Sequence, residues 1–143
     1  MDSKQSDNSI QGSVGEQPLV LAVDEDEDNI LVISYLIQSL ACKLITTNSG
    51  HNTLNIATKH LPDLILLEIA LPDVDGFEII EKLRQNKTTG SIPIVVVTRL
   101  SGATEKERII NIGCNGYLCK PYLFEDLEDL IRTNLKILSD VRS

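Results

Sequence analysis

The stretch Leu64-Ile-Leu-Leu-Glu68-Ile-Ala-Leu-Pro72-Asp-Val-Asp75-Gly76 decides the fold. A continuous apolar run ends in a carboxylate, and a Pro/Asp/Gly turn follows at once. Such a run predicts a strand buried on both faces, which a parallel sheet covered by helices provides. The turn residues stop the strand and deliver one acid to the edge of the sheet.

On either side the chain alternates. Before it come an apolar run at 19–23 closed by the acids Asp24-Glu25-Asp26-Glu27-Asp28, then Ile30, Ile33, Ile37 and Leu40 at helical spacing. A second strand at 43–47 and a helix over 50–60 follow. After it come a helix carrying Phe77, Ile80 and Leu83, a loop at 86–91 and a fourth strand at 92–98. A helix over 103–112 stopped by Gly113, a short strand at 116–120 closed by Pro121, and a last helix marked by Leu123, Leu127, Leu130, Ile131 and Leu135 complete the chain. Five strands alternating with five helices predict an α/β fold with a doubly wound, five-stranded parallel sheet. Right-handed crossovers and one reversal favour the order 2-1-3-4-5, the flavodoxin-like arrangement.

Composition narrows the function. The chain has 143 residues, which suits one domain and not two with separate cores. Residues 1–17 are rich in Ser, Gln, Asp and Gly and read as a disordered leader, 18–138 as the domain, and 139–143 as a tail. Aromatics are only 3%, so the core is aliphatic. A net charge of −8 argues against nucleic acid as a partner. Apolar runs stop short of membrane-spanning length and the polar N-terminus is no signal peptide, so the expected location is cytoplasmic. Cys42, Cys114 and Cys119 form no C-x-x-C pair and read as small core residues. His51 and His60 lack partner spacing for a metal and read as surface residues.

In such a fold, ligands sit outside the carboxyl ends of the strands at the switch point. Asp24 and Glu25 end strand one, Glu68 strand three, Thr98 strand four and Lys120 strand five. Three acids on adjacent strand ends repel one another unless a cation compensates. They suit a hard, oxygen-seeking ion such as Mg²⁺. A lysine and a hydroxyl beside them suit phosphoryl oxygens, so the set reads as phosphoryl-transfer equipment. Asp26 to Asp28 read instead as a solvated helix start, and Asp73 and Asp75 as turn residues.

Val23-Asp24-Glu25, Leu67-Glu68 with Leu71-Pro72-x-x-Asp75-Gly76, Val97-Thr98 and Tyr117-x-x-Lys120-Pro121 resemble the response-regulator receiver domain of two-component signalling, over about residues 18 to 138. The resemblance implies a signalling domain and not an enzyme. It implies that Asp24 and Glu25 hold Mg²⁺ together with the acceptor at position 68 and the backbone carbonyl of Ala70. It further implies that Thr98 closes on phosphoryl oxygens, that Tyr117 changes rotamer, and that Lys120 bridges to the phosphate. The implied partners are a sensor histidine kinase or other signalling protein and a downstream protein on the face of helix four, strand five and helix five, with a homodimer as a further option.

Three positions depart from the family pattern. The acceptor is Glu68 and not Asp, Glu25 stands where Asp is more usual, and Arg99 replaces a small residue after the threonine. One extra methylene moves a carboxylate by about an ångström, which in a phosphoryl-transfer site costs on the order of a hundredfold. Glu68 is therefore expected to take the place of the phosphorylated acceptor, bonded to Thr98 or Lys120. Arg99 can reach Glu68 or Asp24 and occlude the pocket, or it can point to solvent. Two rivals remain. One is a haloacid-dehalogenase-type phosphohydrolase using Asp24 and Asp26, which leaves Glu68 and the Pro72-x-x-Asp75-Gly76 turn unexplained. The other is a constitutive pseudo-receiver adaptor. No output domain is expected after Ser143, so output is expected through a protein partner or self-association.

Overall fold

The computed structural model describes residues 16–137, so the leader (but for residues 16 and 17) and the tail lie outside the described residues. Strands β1 (Leu19–Val23), β2 (Lys43–Thr47), β3 (Leu64–Leu67), β4 (Ile94–Thr98) and β5 (Gly116–Cys119) alternate with helices α1 (Glu27–Ser39), α2 (Thr53–His60), α3 (Gly76–Gln85), α4 (Ala103–Asn111) and α5 (Phe124–Leu135). The sheet is parallel, in the order β2-β1-β3-β4-β5. The doubly wound expectation is therefore met, strand for strand.

Successive side chains of a strand face opposite sides, and this divides the core into two layers. Leu21, Val23, Ile65, Leu67, Ile94 and Val96 pack with α2, α3 and α4 through Ala57, Phe77, Ile80, Leu83 and Ile109. Val20, Ala22, Leu64, Leu66, Val95 and Val97 pack with α1 and α5 through Ile33, Leu36, Ile37, Leu127 and Ile131. All four residues of β3 are buried, as expected of the central strand.

Element ends follow from local chemistry. Asp26 caps α1 by accepting from the backbone N–H groups of Asp28 and Asn29. Asp75 caps α3 through Phe77 N at 2.9 Å. The expected helix over 50–60 begins only at Thr53, because Asp73 holds the preceding residues, accepting from Gly50 N, His51 N and Ser49 Oγ at 3.0–3.1 Å. The fourth strand begins at Ile94, since Pro93 has no N–H for the ladder. Gly76 is required by a close approach: a Cβ there would lie 2.3 Å from Ile69 Cα. Its N–H donates to Ile69 O at 3.1 Å, and Ala70 bridges Asp75, so the turn after β3 folds back on itself.

At the amino ends of β4 and β5, Arg84 of α3 acts as a clamp. It donates to the carbonyls of Gly90, Ile92 and Gly113 and to Asn115 Oδ1 at 2.8–3.1 Å. Asn115 Oδ1 also accepts from Ile94 N at 2.9 Å, tying the two strand starts together.

Candidate functional site

Three backbone bonds bring the opposite, carboxyl ends of the strands into register. Asp24 N donates to Thr47 O at 3.0 Å, Glu68 N to Val23 O at 2.9 Å, and Lys120 N to Thr98 O at 2.7 Å. Asp24, Glu68 and Thr98 are consequently neighbours at one edge, and all three are buried.

Lys120 joins the two buried acids. Its Nζ lies 2.9 Å from Asp24 Oδ2 and 3.2 Å from Glu68 Oε1, with Asp26 Oδ2 further out at 3.8 Å. Burial alone would lower the lysine pKa. The hydrogen bond and charge of Asp24, reinforced by Glu68, outweigh burial and raise it, so the ammonium is held charged.

Glu68 is saturated with donors. Oε2 accepts from the Thr98 hydroxyl and from Ala70 N, the latter at 2.8 Å. Oε1 accepts from Arg99 N at 3.2 Å besides Lys120. The Thr98 hydroxyl is itself oriented, accepting from Leu100 N at 3.2 Å. Asp24 is equally committed: Oδ1 accepts from Asp26 N at 2.9 Å, and Oδ2 from Asn29 Nδ2 at 2.7 Å in addition to Lys120. Asn29 in turn accepts from the Tyr122 hydroxyl.

The other expected site residues take up the following places. Glu25 is exposed and lines a cavity of about 610 Å³ together with Asp24, Asp26 and Glu68. The Asp24–Asp26 turn points it outward, and Asp26 is the nearer third acid. Ala70 contributes its N–H to Glu68. Arg99 lines the same cavity, exposed, with no side-chain ion pair among the described residues; Lys120 supplies the positive charge instead. Tyr117 pairs with Val96 in the ladder and packs in the layer of α3 and α4, half-buried, and burial pushes its phenol pKa up. Asp26 serves α1 as its cap, which is not the free acid that a hydrolase would need.

Asn29 and Tyr122 were not singled out by the sequence. Their contact spans 93 positions, and only Asn29's place five residues after Asp24 hints at it. Tyr122 is half-buried, and its phenol is pushed up to about 12, first by burial and then by the charges of Asp24 and Asp26.

Asp24 and Glu68 are the buried carboxylates that would hold Mg²⁺, and in this arrangement Lys120 occupies the space between them. Every oxygen of Asp24 and Glu68 already accepts a hydrogen bond, and an ammonium stands between them.

Comparison with known proteins places this geometry. Residues 20–132 match the response regulator receiver domain family. The chain is 36% identical over 102 residues to the polar-differentiation response regulator DivK of Brucella ovis, covering 71% of this chain and 83% of that one. The chemotaxis response regulator CheY4 of Vibrio cholerae superposes with a TM-score of 0.73 at 26% identity, over 86% of this chain and 100% of its own. The receiver domain of a sensor histidine kinase of Pseudomonas aeruginosa, solved with magnesium coordinated in its active-site cleft, matches with a TM-score of 0.77 at 23% identity, over 85% and 99%. Among the described residues no helix is long and apolar enough to cross a membrane. With its strand order, its edge of Asp24, Glu68, Thr98 and Lys120, and these matches, the chain belongs to the response regulator receiver domain family of two-component signalling.

Proposed function

We propose that this receiver works without phosphorylation, its pocket held in an active-like arrangement by Glu68. The observation that carries this is the donor set around that one carboxylate. A hydroxyl, two backbone N–H groups and an ammonium converge on it. Those are the donors a phosphoryl group would use, since positioning and charge neutralisation are what such a site supplies. The longer glutamate reaches them unaided.

In this reading Thr98 is drawn to the pocket by Glu68, Lys120 is the resident cation, and Mg²⁺ has no role in the natural protein. The chain acts in the cytoplasm by binding and not by turnover. Its contacts are a sensor histidine kinase or another signalling protein, and a downstream partner or second copy on the face of α4, β5 and α5.

Incubation with a small phosphoryl donor, followed by mass spectrometry, tests the reading. The natural protein should take up no phosphoryl group, with or without Mg²⁺. Glu68→Asp, which shortens the side chain and opens the pocket, should gain Mg²⁺-dependent uptake at position 68. Phosphorylation of Glu68 in the natural protein would sink the proposal.

A further inference from the structure

Lys120 pairs with Asp24 and Glu68 at the centre of the pocket, but that pairing does not explain what keeps Asp24 in place. An exposed aspartate at a strand end turns readily into water, where its charge is best solvated. Asp24 instead points inward, 4% exposed. One neutral side chain bonds it, and a second, from another element, bonds the first. Asn29, on the first turns of α1, donates from Nδ2 to the same oxygen that Lys120 holds, at 2.7 Å against 2.9 Å. Tyr122, between β5 and α5, donates its hydroxyl to Asn29 Oδ1.

The order of donors matters. An asparagine amide has two ends, and only the NH₂ end can serve a carboxylate. The acceptor-only carboxylate of Asp24 therefore takes the NH₂ end, which leaves Oδ1 toward Tyr122, and the Tyr122 hydroxyl donates to it and braces the amide in that orientation. Tyr122 thereby acts on Asp24 without a hydrogen bond to it. Both Asn29 and Tyr122 line the 610 Å³ cavity over the site, with Val32 and Phe124 beside them.

We propose that Asn29 and Tyr122 are positioning residues: through the fixed Asn29 amide, the Tyr122 hydroxyl holds Asp24 against Lys120 and keeps the ammonium between Asp24 and Glu68. Tyr117, the aromatic of β5 on the other core layer, has no part in this chain of bonds. The inference rests on Lys120 being the pocket's cation, as proposed above, but not on whether Glu68 is phosphorylated.

The test follows the ammonium itself. In protein carrying ¹⁵N-lysine, solvent exchange of the Lys120 Nζ protons is measured by NMR for the natural chain, Tyr122→Phe, Asn29→Ala and Tyr117→Phe. Loss of one hydrogen bond in the chain should speed Lys120 exchange about tenfold in the first two variants and leave Tyr117→Phe within about twofold of the natural protein. Tyr122→Phe keeps the ring, and a thermal melt verifies that each variant is folded. Should either of the first two fail to fold, the other carries the measurement. Unchanged exchange in folded Tyr122→Phe or Asn29→Ala, or equal acceleration in Tyr117→Phe, would overturn the assignment. Phosphoryl uptake by the natural protein is a separate outcome, which would overturn the proposed function and leave the positioning roles to be judged on exchange alone.

Discussion

At position 68 the consequences of a buried, fully bonded glutamate are local and measurable. Glu68 is 2% exposed and bonded on both oxygens, so removing its charge while keeping its shape leaves Lys120 with Asp24 as its one close partner. Glu68→Gln should therefore cost about 2–3 kcal/mol in urea unfolding, part of the penalty for breaking a buried pair. A loss under about 0.5 kcal/mol would mean the carboxylate is not the anchor described here. Alkaline pH reports on the same cluster. The Lys120 pKa is raised on folding, so its contribution is present below the ordinary lysine value of 10.5 and is lost as pH rises through the folded value. The Tyr122 phenol, pushed up to about 12 beside Asp24 and Asp26, ionises earlier in the unfolded chain, so it too lowers stability as pH climbs from about 10. The urea midpoint should fall between about pH 10 and 12, and Tyr122→Phe should flatten that fall. A midpoint independent of pH in this window would contradict both assignments.

At the scale of elements, close approach separates glycines that must be glycine from those that need not be. A Cβ at Gly76 would meet the backbone of Ile69 at 2.3 Å, and backbone at the end of a buried strand cannot give way. At Gly102 the nearest atom is the carboxylate of Glu105, the far end of a flexible side chain. Gly76→Ala should cost about 3 kcal/mol or more in urea unfolding and Gly102→Ala less than about 1. Equal costs would show that the turn after β3 can relax. These elements were largely legible beforehand, because continuous apolar runs and their closing acids mark buried parallel strands with little ambiguity. Ends were less legible. Glu25 and Asp26 are both acids just past β1, and which one comes within 3.8 Å of Lys120 depends on a turn in which Asp24 itself accepts from Asp26 N. Asn29 and Tyr122 escaped notice for a related reason: a neutral amide and a phenol carry no charge pattern, and their contact exists only once α1 and the β5–α5 connection are packed.

Across the whole molecule, the two ends of the sheet do different work. At the amino ends of β4 and β5, Arg84 makes four hydrogen bonds that join α3 to both strand starts. Burial pushes its pKa down, yet its acceptors are carbonyls and an amide, so its work is hydrogen bonding and not charge pairing. Arg84→Ala should lower stability by about 2–4 kcal/mol while leaving Lys120 proton exchange within about twofold of the natural chain, because it removes bonds at the far edge only. A variant that also loosened Lys120 would show the two ends to be mechanically joined. With the strand starts fastened by neutral acceptors and two aliphatic layers between, the carboxyl edge is free to change its chemistry. The Arg84 clamp is thus a division of labour: the bonds that fasten the strand starts share no residue with the bonds that join Asp24, Glu68, Thr98 and Lys120, so the scaffold at one edge does not depend on the charges at the other.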